Sequence, residues 1–279
     1  MKTLKIIAGL LLLAGFVFIY TGCKKKSTAP TPTPTDTSVA TDNALAESSF
    51  ENAKVWADVA MANAGKKSTL TDTVYMGTCV LATLDLSTLP FKLVIDFGNA
   101  NCQCDDGKFR KGKIIVQFNG NYFAAGTVIT YTFDNYFINN NQILGTKTVT
   151  NKGRNTANNL WWTVDVAGSV IKANNGGTIT WNCNYELEWT EGEITPAIWW
   201  DDVYMITGVA GGVGANSKTY TATITKGLRK KLNCEWVESG TISYNIQDLP
   251  LIVVDYGDGT CDNVATATVN GTVYTIHLN

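Results

Sequence analysis

The chain has a single histidine, His277, in 279 residues, and that scarcity removes several chemistries at once. A histidine-rich metal centre cannot be assembled from it, and a Ser-His-Asp arrangement would rest on one residue beside the C-terminus. Charge is scarce too: 16% of residues are ionic, 22 basic against 24 acidic. No basic face follows from that balance, so no nucleic-acid partner is expected. No paired CxxC spacing is present, which leaves a thiolate metal site without its usual ligand set. The Gly208 to Gly214 run lacks the Gly-Lys-Ser/Thr ending of a phosphate loop and reads as a flexible hairpin connection. What the chain does have is Gly, Thr, Asn and aromatics in abundance, a mixture that many short strands and turns produce.

Lys2 and Lys5 precede an almost unbroken apolar run from Ile6 to Ile19, closed by Tyr20-Thr21-Gly22-Cys23. The run is short for a membrane span and has the flanks of an export signal. A cysteine after Thr-Gly resembles the lipobox of bacterial lipoproteins, in which that cysteine becomes the acylated first residue. The expectation is a signal peptide over 1–22, lipidation (a palmitate-type anchor) on Cys23, a tether over 23–41 and a folded module over 42–279. Lys24 to Thr41, with its Thr-Pro alternation, cannot bury apolar surface and reads as an extended spacer. One acyl chain attaches marginally, so a stable membrane partner requires several. Removing the signal leaves 20 basic against 24 acidic residues, a net charge of about −4.

Six cysteines remain: Cys79, Cys102, Cys104, Cys183, Cys234 and Cys261. In an oxidising compartment an even number favours disulfides, and all six are candidates. Spacing does not choose the connectivity. Cys102 and Cys104 would point to one face of a strand, so each is expected to find a different distant partner.

Asn43 to Ala64 reads as the one helix, capped by Asp42 or Asn43, with Leu45, Val55, Trp56 and Val59 in its apolar stripe and Ala46, Ala53, Ala60 and Ala62 filling the narrow positions. From Thr69 onward the pattern is strand and turn. In Thr178 to Thr190, Ile179, Trp181, Cys183, Tyr185, Leu187 and Trp189 alternate with polar residues, the period of a sheet with one dry face. Asn270-Gly271 between alternating runs marks a hairpin. The fold class expected is mainly β: a large twisted antiparallel sheet or two related β halves, with one N-terminal amphipathic helix. An internal echo aligns Leu93–Cys102 with Ile252–Cys261, and a boundary between halves would fall near 192–196.

Asp202-Val203-Tyr204, Ile206-Thr207-Gly208, Lys218 to Ala222, Cys234 to Gly240, Asp255 to Asn263 and Asn270 to Tyr274, with the earlier Ile95-Asp96-Phe97-Gly98 and Phe133 to Tyr136, form a succession. It resembles an uncharacterised cell-envelope lipoprotein family of the Bacteroidetes, over most of residues 70–279. The resemblance implies an outer-membrane address without a chemistry. Lys24-Lys25-Lys26 stand where an acidic surface-export signal would follow the lipidated cysteine, so the periplasmic face is expected over the cell surface.

Two regions are candidate sites. Asp255, Asp258, Asp262 and Asn263 surround two glycines and offer hard oxygen ligands, so they read as a structural turn or a weak Ca2+ site; no other cofactor is expected. Trp199, Trp200, Asp201 and Asp202 read as a surface contact for a glycan or a protein, because one of two adjacent tryptophans in a strand must face outward. Trp161-Trp162 is a second such pair. Glu186, Glu188, Glu191 and Glu193 with Asp201 and Asp202 could supply the paired acids of a glycoside hydrolase, although Glu186 and Glu188 alternate on one wet face, as solvated strand residues do. The function expected first is a noncatalytic binding or scaffold accessory of an outer-membrane assembly, then a carbohydrate-binding lipoprotein, then a hydrolase.

Overall fold

Alternation along Thr178–Glu191 becomes a strand whose inward side chains Ile179, Trp181, Cys183 and Tyr185 are buried, while Thr178, Thr180, Asn182, Asn184 and Glu186 face solvent. Fourteen further strands follow the same logic. The computed structural model describes residues 38–64, 71–76, 79–195 and 199–278; Cys23 and the stretch over 1–22 expected to be an export signal lie outside them. After a helix α1 (Ser38–Ala64) come β1 (Thr71–Met76), β2 (Val80–Asp85), β3 (Phe91–Asp96), β4 (Cys102–Gln103) and β5 (Phe109–Phe118). The centre is β6 (Val128–Ile138), β7 (Asn141–Arg154), β8 (Leu160–Ile171), β9 (Thr178–Glu191) and β10 (Val203–Val213). The chain closes with β11 (Thr219–Lys231), β12 (Ser239–Ile246), β13 (Ile252–Asp258), β14 (Val264–Val269) and β15 (Thr272–His277).

All fifteen belong to one antiparallel sheet in which spatial order follows chain order, with only β4 off the path, paired to β5. β9 and β10 pair from Glu191↔Val203 to Thr180↔Val213, so the sheet continues across 192–202. At the usual spacing of about 4.8 Å, fourteen flat strands would span more than 60 Å. Yet α1 contacts β1, β2, β3, β7, β8 and β9, and its side chains reach β11. The sheet therefore curls around the helix, dry face inward. The polar outer row of β9 is the reverse of the apolar outward band that a membrane barrel needs. No helix among the described residues is long and apolar enough to cross a membrane.

The helix differs from its sequence reading in two ways. It begins at Ser38, one turn before Asn43. Its buried stripe is Val39, Ala46, Phe50, Ala53, Ala57 and Ala60, whereas Val55 and Val59 are exposed. Alanines let the helix axis approach the sheet, and Phe50 supplies the bulk, stacking on Trp181 at 5.6 Å and meeting Phe133 edge-on. Trp56 does bury its face, against Phe97 and under the Arg110 guanidinium. Asp42 accepts hydrogen bonds from Lys172 Nζ (2.8 Å) and the Ala215 N–H (2.7 Å), pinning the first turns of α1 to two hairpin ends.

Gly208 to Gly214 is also corrected: it lies largely within β10, not in a connection. A Cβ at Gly208 or Gly212 would come within 2.2 Å and 2.0 Å of the β9 carbonyls of Asn184 and Thr180, so the glycines are there for close strand approach.

Two disulfides form, Cys79–Cys102 and Cys234–Cys261. The third does not: Cys104 and Cys183 are buried free thiols. Cys104 follows β4 and Cys183 sits on β9, separated along the sheet by several strand spacings of about 4.8 Å, beyond the reach of a disulfide. The internal echo extends to geometry. Asp96 Oδ1 accepts the Gly98 N–H and Asp255 Oδ1 the Gly257 N–H, both glycines have positive φ, and each turn leads to a bridged cysteine.

Candidate functional site

The register of β8, β9 and β10 builds a small constellation on the convex face. Trp161 lies opposite Glu188, which lies opposite Met205; in the next row Thr163, Glu186 and Thr207 align. The turn between β7 and β8 folds against this row because Asn155 Oδ1 accepts the N–H groups of Ala157 and Asn159, while Asn158 takes positive φ. Both carboxamides then donate to one oxygen, Asn155 Nδ2 and Asn159 Nδ2 each 2.8 Å from Glu188 Oε1. Asn155, Trp161, Glu186, Glu188, Met205 and Thr207 bound a depression of about 170 Å³. Arg154 pairs with Glu193 and donates to the Asn158 carbonyl, tying the turn to the β9–β10 connection.

The electrostatics of Glu188 are specific. Hydrogen bonds from Asn159 and Asn155 hold its carboxyl below the usual glutamate range. A glycosidase pairs an acid raised so that it can donate a proton with a partner that stays ionised, and Glu188 is moved toward the ionised form. An ionised carboxylate in fixed orientation, a half-buried indole and a threonine hydroxyl together form a set of hydrogen-bonding groups beside a flat apolar face. The paired tryptophans split as strand geometry requires: Trp161 outward, Trp162 inward toward Tyr204. Sequence reasoning missed Asn155 and Asn159; the Asn-rich turn was the available signal, but only the register shows which carboxylate it meets.

Other candidate residues fall elsewhere. Asp255, Asp258 and Asp262 each spend an oxygen on their own turn, bonding the N–H groups of Gly257, Thr260 and Val264. Asn263 accepts the Leu278 N–H through its carbonyl. Among the described residues these carboxylates do not converge on one point. A possible metal-coordinating cluster is present instead at Cys234, Glu238 and Cys261, whose ligand atoms lie within 4.8 Å of one another. Its two sulfurs are bonded to each other and Glu238 is paired with Arg229, so the oxidised protein offers no thiolate there.

Trp199, Trp200 and Asp201 form a 3₁₀ turn, with Trp200 half exposed and Asp201 Oδ2 accepting the Thr195 hydroxyl at 2.7 Å. Asp202 is buried, and burial together with the neighbouring Asp201 charge raises its pKa. This segment supplies none of the lining of the depression.

Comparison with known proteins finds no family model, no curated protein and no solved structure that matches the chain.

Proposed function

We propose that the chain is a noncatalytic binding module of the cell envelope, held at the periplasmic face of the outer membrane by lipid on Cys23, and that its convex depression takes a glycan. The observation behind the ligand is Glu188, oriented by two carboxamides beside the Trp161 face. Sugar rings present an apolar face for stacking and hydroxyls for an ionised acceptor, and a shallow open site admits a chain from either side. The anchor rests on the sequence Thr21-Gly22-Cys23 and the spacer that follows it.

A second reading, scaffold of an envelope assembly, draws on β15. This edge strand pairs only with β14, carries no lysine or proline, and exposes Val273. Calcium at Asp255 to Asn263 would be a stiffening addition, and an unchanged Tm in millimolar calcium removes it.

The test is a polysaccharide array with the mature protein, followed by calorimetry on any ligand found. Trp161→Ala and Glu188→Gln are expected to weaken binding at least tenfold with the fold intact. A protein that binds no glycan, but recovers a stoichiometric envelope protein through an intact β15 edge, moves the conclusion to the scaffold.

A further inference from the structure

The depression on the convex face carries charge of one sign. Its lining holds two carboxylates, Glu186 and Glu188, and no lysine or arginine. The two stand on the same face of β9, two residues apart, hence roughly 6.7 Å apart along the strand. Two arginines flank the site, and both are committed elsewhere. Arg154 pairs with Glu193 and donates to the Asn158 carbonyl. Arg229, opposite Met205 in the β10–β11 register, pairs with Glu191 and Glu238.

Glu188 divides the work of its oxygens. Oε1 takes both carboxamides, Asn155 Nδ2 and Asn159 Nδ2, at 2.8 Å each, while Oε2 has no donor among the described residues. Glu186 is exposed and makes neither a hydrogen bond nor an ion pair among them. The two carboxamides also keep Glu188 charged into mildly acidic solution. Trp161 lies directly opposite Glu188 across the β8–β9 pair, at the spacing of about 5 Å that such neighbours have. A sugar ring stacked on the indole therefore carries a ring substituent to Oε2.

The chemistry of that substituent follows from the charge. A hydroxyl can fill a lone pair of Glu188 but leaves two like charges uncompensated in a hollow that concentrates their field. An ammonium neutralises them through charge-assisted hydrogen bonds, roughly twice as strong as neutral ones. A carboxylated sugar would add a third negative charge, and an acetylated amine brings no positive one. We propose that the depression selects a cationic amino sugar, its amine free rather than acetylated, with the ring on Trp161 and the ammonium shared by Glu188 Oε2 and Glu186. The inference rests on the glycan reading of this site and narrows it to one class of sugar.

The test compares three β-1,4-linked hexamers, of glucosamine, of N-acetylglucosamine and of glucose, by calorimetry on the purified protein at about pH 5.5, where the amine is protonated. The glucosamine hexamer is expected to bind at least tenfold tighter than the other two, with an advantage that shrinks as salt is raised. Glu186→Gln should lose at least fivefold of the glucosamine affinity and leave the other two hexamers unchanged, and Trp161→Ala should weaken glucosamine binding at least tenfold. Both side chains stand on the solvent face, so both variants are expected to fold, as circular dichroism will check. Equal or tighter binding of the acetylated or the glucose hexamer, lost in Trp161→Ala, would overturn the amino-sugar preference and leave the glycan reading standing. Glucosamine binding that neither variant weakens would show a diffuse attraction to an acidic surface and overturn the proposal. Binding of none of the three would overturn it too, and the polysaccharide array then decides whether the glycan reading falls with it.

Discussion

Phe50 and Gly168 occupy space that only one of them can fill: a Cβ built on Gly168 would lie 2.3 Å from Phe50 Cζ. The helix ring enters the sheet where β8 has no side chain. Gly168→Ala is therefore expected to cost about 1–3 kcal/mol by overpacking, and Phe50→Ala about 3–5 kcal/mol by leaving a cavity. The same Cβ would stand 2.5 Å from the Leu144 carbonyl, so shrinking Phe50 should rescue Gly168→Ala only in part. Urea denaturation of the two single variants and the double variant measures that coupling.

Arg110 gives a second prediction. Its guanidinium is fully buried, donating to both Asp106 oxygens (2.6 and 2.5 Å) and to Asn52 Oδ1 (2.6 Å). Asp106 itself is 40% exposed, but removing it leaves a buried guanidinium without two of its acceptors, so Asp106→Ala should cost about 1–3 kcal/mol. Arg110→Met combined with Asp106→Ser should cost less than Asp106→Ala alone, as measured by thermal and chemical melts. The reverse order would show that the pair contributes through attraction rather than through avoided desolvation.

Glu47 predicts a pH dependence. Burial first, and then Glu51, push its folded pKa up to about 7, above the ordinary 4.5, with Lys147 opposing, so the folded state holds the proton more tightly. Stability is greatest below about 4.5 and falls as pH rises through 7, by an amount on the order of 1–3 kcal/mol. The facing Tyr185, Tyr220, Tyr244, Tyr256 and Cys183 are all pushed up and stay neutral across that window. Glu51 and Lys147 face it as well, already bonded to each other. Glu47→Gln should match the parent at pH 5 and exceed it at pH 8. Parallel curves at both values would remove Glu47 as the source.

The thiols give the last prediction. Two buried thiols, Cys104 and Cys183, should react slowly in the native protein and fully once it is denatured without reductant. Burial pushes the Cys183 thiol up to about 12, which keeps it inert at neutral pH. Opening either disulfide, whose cysteines stand 23 and 27 residues apart, should cost about 3 kcal/mol by loop entropy. Peptide mapping with alkylation before and after denaturation checks both the pairing and the count.

Much of this fold was legible from residue order. The alternation in Thr178–Glu191 identified β9 and its dry face, and Asn270-Gly271, both at positive φ, makes the tight hairpin that the dipeptide predicts. The helix was found, and of its stripe Ala46, Ala53 and Ala60 were found but not Phe50. Val55 and Val59 have the hydrophobicity of core residues, while the surface that needs filling is set by where β8 has a glycine. Gly208 to Gly214 failed for a related reason: glycine in a strand signals a close neighbour as often as a turn, and the neighbour, β9, is named only by pairing. The convex site was half visible. The sequence offers Trp161 in one of two tryptophan pairs and Glu186 and Glu188 among six candidate acids, whereas Asn155 and Asn159 reach Glu188 from about thirty residues away, by register alone. Glu47 carried no signal, since a glutamate in a helix is ordinary until its surroundings are known.

The strictly sequential strand order bears on how the chain is made. Each strand needs only its predecessor in order to pair, so the wall can lengthen hairpin by hairpin. Contacts between residues close in sequence carry small loop-closure costs, and each disulfide closes within its own short span. The growing end of the sheet is then the exposed edge at every stage, and β15 is where that growth stops. A sheet ordered in this way can be laid from one side, strand after strand.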